Sequence, residues 1–267
     1  SCQADNLDDL VVRQVFHATG YSTLGQAIRA GDDCHLRVVA TLRDEPYGEI
    51  APFYKRVKKL GADAEPWERA EWAVMDRQRA GGKEANFGFW GGMGPKKFAF
   101  LQARKGNPIT EGFARDLRTG WIGTWDPEAT VYFKLANDAT TSGGMLTGAT
   151  VVHAPNGHVR GSVDYCQWAN THFQFKAARG AKWAAIMLRR ACKFDPTSPL
   201  CGVAVPLIFL HDEFVVEVDA VAVDAHPHED PRSPVAEIGR IMRAGMAKVG
   251  NTPVKTEATV HRACWSK

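Results

Sequence analysis

Three groups of side chains in this 267-residue chain have the types and spacing for chemistry. His211, Asp212 and Glu213 separate two apolar runs within VAVPLIFLHDEFVVEV, residues 203–218. Adjacent carboxylates at the tip of an apolar hairpin are either solvated or bound to a cation, because burying them unpartnered costs about 1–3 kcal/mol or more for each polar group. A Mg2+ ion held there would need at least one more carboxylate from a distant segment and would keep open positions for phosphate oxygens. The second group is Arg79, Lys83 and Phe87. Four-residue steps drift by only about 40° around a helix, so two cations and an aromatic ring would line one face. Such a face can bind triphosphate oxygens and stack a base or sugar, or it can be an ordinary solvated surface. The third group is the acidic opening segment with Asp5, Asp8 and Asp9, read either as a functional strand edge or as a solvated terminus.

The elements that must position these groups alternate between helix and strand. Residues 203–218 read as two buried strands joined by a tight turn. Ser22–Ala30 reads as a short helix stopped by Gly31. After it, Asp32, Asp33, Cys34 and His35 open a second apolar stretch at a helix N-terminus. Residues 64–75 are helical, with Pro66 in the first turn and Trp67, Ala70 and Val74 on one stripe. The helix continues through residues 76–94, where Gly81 and Gly82 weaken it by about 1 kcal/mol each. Phe113, Leu117 and Trp121 give a core-facing helix, and residues 150–160 a hairpin turning at Pro155-Asn156-Gly157. Asn170 caps a long Ala-rich helix to Cys192, whose Lys176, Arg179, Lys182, Arg189 and Arg190 suit a nucleic-acid backbone or form a solvated basic face. His226-Pro-His228, with Glu229 and Asp230 next to it, reads as a connector or as a metal-binding His-x-His, and Ser233-Pro234 starts a helix closed by Gly250. Residues 254–260 alternate as a last strand.

Composition sets loose bounds. With 45% hydrophobic and 24% charged residues, the chain can form one large domain or two smaller ones with real cores. A net charge of +3 permits a polyanionic partner without demanding one. The six cysteines include no CxxC pair, which argues against a zinc site and fits reduced thiols in a cytoplasmic protein. No apolar run approaches the roughly 18 residues of a membrane span, and no signal-peptide pattern opens the chain, so neither a membrane partner nor export is expected.

Together these motifs resemble the family A DNA polymerases, the bacterial polymerase I and bacteriophage class. The resemblance rests on HDE between two apolar strands, RxxxKxxxFG on a helix before it, and NTxFQxxAA on a helix between the two. Singly each is weak; in this order and spacing the set is specific. ANFGFWGGMG, GHVRGSVDYCQWANTHFQ and TVHRACWSK look like the phage-encoded branch. The resemblance spans almost the whole chain and corresponds to palm and fingers, without thumb or exonuclease. It implies an α+β fold in which an antiparallel palm sheet carries a mainly helical fingers insertion. Residues 1–15 and 150–267 would be palm, and residues 16–149 fingers.

The resemblance also implies roles. Asp212 would hold metal, with Glu213 beside it and His211 near the primer end. Arg79 and Lys83 would bind the triphosphate, Phe87 would lie beneath the incoming nucleotide, and His35, in GDDCH, would be a further triphosphate contact. Asn170, Gln174 and Arg160 would contact template and primer. Two Mg2+ ions, primer–template DNA and deoxynucleoside triphosphates follow as cofactor and partners, with a separate chain or missing segment supplying the thumb. Departures bear on activity. Without a gap, Gln3 stands at the second metal position and Asp8 at the glutamate that excludes the 2′-hydroxyl; with a one-residue gap, Asp5 and Asp9 take those places. Gly91 replaces a tyrosine of bacterial relatives, and Arg179 an acid. The alternative is a degenerate polymerase-like domain that binds nucleic acid or protein without catalysis. A single-subunit RNA polymerase is disfavoured by Phe87 and by Glu213 after Asp212.

Overall fold

The computed structural model describes residues 22–141, 149–153, 158–210, 213–250 and 253–262. The described residues are α+β and fall into two compact units, one up to His172 and one from Phe173 onward. Asp5, Asp8, the 154–157 turn, His211 and Asp212 lie outside the described residues, as do Gln3 and Asp9.

The first unit is built mainly from helices. Helix α1 (Thr23–Arg29) begins where the Ser22 side chain accepts from Gly25 N, and it ends at Gly31, whose φ of 77° suits a residue without Cβ. Helix α2 (Cys34–Arg43) is capped by Asp33. Helices α3 (Tyr47–Leu60) and α4 (Pro66–Trp90) pack against it over Leu36, Ala40, Ile50, Tyr54 and Met75. Then come α5 (Pro95–Arg104), α6 (Glu111–Thr124), α7 (Glu128–Thr141) and an antiparallel pair, β1 (Ala149–His153) and β2 (His158–Val163). An aromatic cluster of Phe89, Trp90, Trp121, Tyr132 and Phe133 joins α4, α6 and α7 by edge-on and tilted ring contacts.

Helix α8 (Tyr165–Lys193) is followed by the second antiparallel pair, β3 (Ala204–Leu210) and β4 (Glu213–Val218), and by α9 (Ala220–Asp224) and α10 (Pro234–Ala247). The core of the second unit gathers Leu188, Cys192, Leu200 and Ile241, with Phe214, Val216 and Val218 of β4 packed on it. Helix α10 approaches α8 so closely that a Cβ at Gly245 would sit 2.5 Å from Ala184 N. Only glycine permits that crossing.

Several sequence expectations need correcting. The 203–218 hairpin forms, but it is not buried on both strands: Leu207 and Val205 of β3 are 55% and 52% exposed. Its register shifts between Pro206 and Ile208, because proline cannot donate to the ladder. Among the described residues the strands pair as two two-stranded antiparallel sheets, and the first segment that the palm expectation also draws on lies outside them. The Trp67, Ala70, Val74 stripe of α4 faces solvent, and Glu68 and Met75 turn inward instead. Glu68 does so because it closes a capping box with Glu65 and pairs with Arg56. On α6, Phe113 is exposed, and Ala114, Leu117 and Trp121 form the buried face. Residues 254–260 pair with no strand among the described residues, so their alternation is not matched by a ladder there.

The Gly81-Gly82 pair has a packing reason at its second member. A Cβ on Gly82 would stand 2.9 Å from the His35 carbonyl oxygen, whereas one on Gly81 would meet nothing within 4 Å. Gly82→Ala is therefore expected to destabilise the fold by about 1–3 kcal/mol through overpacking. Gly81→Ala should be neutral or stabilise by up to about 1 kcal/mol. Urea unfolding of the two variants checks this, and equal midpoints would contradict the close approach of α2 and α4.

Candidate functional site

The site grows from the start of α2. Asp33 Oδ1 accepts from His35 N at 2.9 Å and from Leu36 N at 3.1 Å, satisfying two first-turn donors. Its other oxygen, Oδ2, accepts from Arg79 Nε at 2.7 Å. The Asp33 amide in turn donates to Tyr47 Oη at 2.7 Å. One carboxylate thus sets where His35 lies on α2 and where Arg79 lies on α4.

Helix α4 runs unbroken through Arg79, Lys83 and Phe87. It presents Lys83 and Phe87 to solvent, with Arg79 half-buried and the Phe87 ring 61% exposed. The His35 ring lies 6.3 Å from the Phe87 ring, tilted by 42°. Lys83 and Arg79 both act electrostatically on His35. The four residues expected to meet a triphosphate, His35, Arg79, Lys83 and Phe87, therefore share one region of the first unit. Phe87 is one of several exposed large apolar side chains, so what sets it apart is its place beside two cations and an imidazole, not its exposure.

Electrostatics there have identifiable causes. Burial pushes the His35 pKa down; Asp33 opposes this, and Arg79 and Lys83 add to it. Burial alone would raise Asp33, but the hydrogen bond from Arg79, the Leu36 amide and the Arg79 charge outweigh it and hold the carboxyl below its ordinary value. Burial lifts the Cys34 thiol to about 11, so it stays protonated at neutral pH. Because the Asp33 pKa is depressed on folding, its stabilisation is complete above about pH 4, the unfolded value, and is lost as pH falls through the folded value. Asp33→Asn keeps a capping oxygen, so its stability should fall less steeply than wild type between about pH 5 and pH 2. Parallel urea midpoints for the two proteins over that window would refute the assignment.

Beyond Phe87 a cavity of about 430 Å³ opens, lined by Phe87, Gly91, Lys97, Arg160, Gln167 and Asn170 among others. Its size suits one small ligand or a nucleobase. A Cβ at Gly91 would sit in ordinary van der Waals contact, 3.7 Å from Asn170 Oδ1, so the cavity wall there does not demand glycine. Arg160 on β2 is exposed and donates to Thr171 Oγ1 at 3.0 Å. Asn170 is not a cap: it lies inside α8, which starts five residues earlier. Asp164 and Gln167 supply the cap, with Gln167 N donating to Asp164 Oδ1 at 2.7 Å and Asp164 N to Gln167 Oε1 at 3.1 Å. The D-x-x-Q spacing in DYCQ was the signal that could have placed this boundary. Gln174 is exposed on the same helix.

In the second unit, Leu210 of β3 pairs with Glu213 of β4, and His211 and Asp212 fall between them in the chain. Glu213 is half-buried at the start of β4. Among the described residues no three His, Cys, Asp or Glu side chains gather to hold a metal ion; Asp212 and Asp5, which carry that expectation, lie outside them. At the His226 connector, Asp230 pairs with Arg232 at 2.7 Å, while His226 stands 4.0 Å away. No helix among the described residues is long and apolar enough to cross a membrane.

The residue that sequence reasoning passed over is Asn86. It is buried between Phe87 and Ala85 in the chain, accepts from two tryptophans and reaches His35. No local signal marks it, because its partners lie far along the chain. No protein-family model matches the sequence, and a search of curated proteins finds no match.

Proposed function

We propose that the chain is the palm and fingers portion of a template-directed DNA polymerase, adding deoxynucleotides to a primer 3′ end as part of a longer or split enzyme. The observation that carries this is the convergence of His35, Arg79, Lys83 and Phe87, drawn from two helices that Asp33 links by bonding the His35 amide and Arg79. Lys83 and Arg79 would bind triphosphate oxygens as charge-assisted donors, and Phe87 would offer its exposed ring to the nucleotide. Arg160 and Asn170, on the wall of the neighbouring cavity, would contact template or primer, with Gln174 further along α8. Asp212 and Asp5 are the residues that would hold two Mg2+ ions, whose chemistry is to activate the primer hydroxyl and neutralise the triphosphate. Glu213 and His211 would flank Asp212 at the primer end.

A second reading has its own supporting observation. Arg79 already gives its Nε–H to Asp33, so a triphosphate would share that guanidinium with a carboxylate. A polymerase-like domain that binds nucleic acid without catalysis would tolerate this pairing. Primer extension with Mg2+ and any missing thumb segment, alongside equilibrium binding of each dNTP, separates the two. Extension with saturable dNTP dependence supports the polymerase; duplex binding with neither extension nor dNTP affinity supports the binding domain and ends the catalytic reading.

A further inference from the structure

Asn86 is 5% exposed, and its amide is gripped from two sides. Trp121 Nε1 donates to Asn86 Oδ1 at 2.7 Å, and Trp125 Nε1 donates to the same oxygen at 3.0 Å. An indole N–H can only donate, so the amide atom facing both rings must be the oxygen. The amide nitrogen then faces the other way. Asn86 Nδ2 donates to the Cys34 carbonyl oxygen at 3.1 Å and stands 2.9 Å from His35 Nδ1. An amide nitrogen cannot accept, so His35 Nδ1 must supply the lone pair. A neutral imidazole with Nδ1 as acceptor carries its proton on Nε2.

We infer that Asn86, oriented by the indoles of Trp121 and Trp125, is a positioning residue that holds His35 as the neutral Nε2–H tautomer, so that the ring offers one N–H donor to a phosphate oxygen bound beside Lys83. The tautomer follows from the hydrogen-bond chain alone; the phosphate as recipient rests on the triphosphate reading above. The surroundings point the same way. Burial disfavours imidazolium, and so do Arg79 and Lys83 on α4, with Asp33 at the start of α2 as the opposing charge. Placing the ring this close to α4 also requires Gly82, since a Cβ there would strike the His35 carbonyl.

Long-range ¹⁵N–¹H correlation spectra of the full chain, labelled at its nine histidines, report the tautomer directly. The His35 signal is identified by its loss in His35→Gln. At pH 7 the wild type should give the Nε2–H pattern and titrate below an ordinary histidine; an Nδ1–H pattern overturns the inference and needs no variant. Asn86→Asp sets a carboxylate against Nδ1, which should draw a proton there and raise the midpoint by about one pH unit or more. An unchanged midpoint in a folded Asn86→Asp protein also overturns it. The recipient is tested separately with dATP and inorganic tripolyphosphate as probes. His35→Gln keeps an amide N–H near the place of Nε2 and should stay within about threefold of wild-type affinity, whereas His35→Asn should lose about tenfold or more. If the tautomer is Nε2–H but neither variant changes affinity for either probe, the positioning by Asn86 stands and the triphosphate reading of His35 falls.

Discussion

Asp212→Asn is expected to lower primer extension by about 10³-fold or more while leaving duplex affinity within about twofold of wild type. Asparagine keeps the size and shape of the side chain but removes a full negative charge from a group proposed to hold Mg2+. The loss would therefore fall on metal affinity and on the charge that develops in the transition state. Binding of duplex should survive because phosphate contacts come from Lys and Arg. In the sequence His211 and Asp212 stand between Leu210 of β3 and Glu213 of β4, which pair with each other. Raising Mg2+ should partly restore the variant if the defect is metal affinity. If the wild type, supplied with a thumb segment, extends primers no better than Asp212→Asn, this chain is not a catalyst.

Local chemistry in the sequence was enough to find most helices. Ser22, Gly31, Pro66 and Ser233-Pro234 act within one turn of their own backbone, so caps and first-turn prolines can be read without knowing the fold. Which face turns inward is a different question. Helix α4 carries apolar side chains on more than one stripe, and the choice went to Met75 and Glu68, because α2, α3 and Arg56 supply partners on that side. The Val254–Val260 alternation fails for the same reason: a strand needs a neighbour, and periodicity does not provide one. On β3, Val205, Leu207 and Ile208 read as core, yet the bulge after Pro206 and the packing of β4 on Leu188 and Ile241 leave them exposed.

The candidate site divides in the same way. Arg79, Lys83 and Phe87 were legible because helical spacing alone puts them on one face, and the structure keeps that helix continuous. The nearness of His35 to Phe87 was not, since the two are brought together by helix packing over Gly82. Asp33 looked like one of several loop acids in GDDCH. Its double use, as cap and as partner to Arg79, depends on geometry that no spacing rule contains. Asn86 is the extreme case, because His35, Trp121 and Trp125, which its side chain bonds, come from α2 and from around the end of α6.

Lys83→Ala should weaken dNTP binding by about 30-fold, the equivalent of the roughly 2 kcal/mol carried by a hydrogen bond between charged groups. Lys83 is exposed and no ion pair in the described structure engages it, so its ammonium can meet a ligand without first leaving a carboxylate. Arg79 differs. It is half-buried, bonded to Asp33 at 2.7 Å, and lies over the Tyr54 ring at 5.9 Å. Arg79→Ala should therefore lower both dNTP affinity and stability, because it removes the proposed triphosphate contact and leaves the Asp33 carboxylate without its guanidinium. The two variants separate binding from scaffolding. Lys83→Ala should leave the urea midpoint close to wild type and move only the dNTP titration, with the loss growing at low ionic strength, where the wild-type attraction is strongest. Arg79→Ala should move both. If dNTP affinity is unchanged in Lys83→Ala while Arg79→Ala is merely less stable, the cationic face of α4 is a solvated surface braced by Asp33, and the nucleotide assignment is wrong.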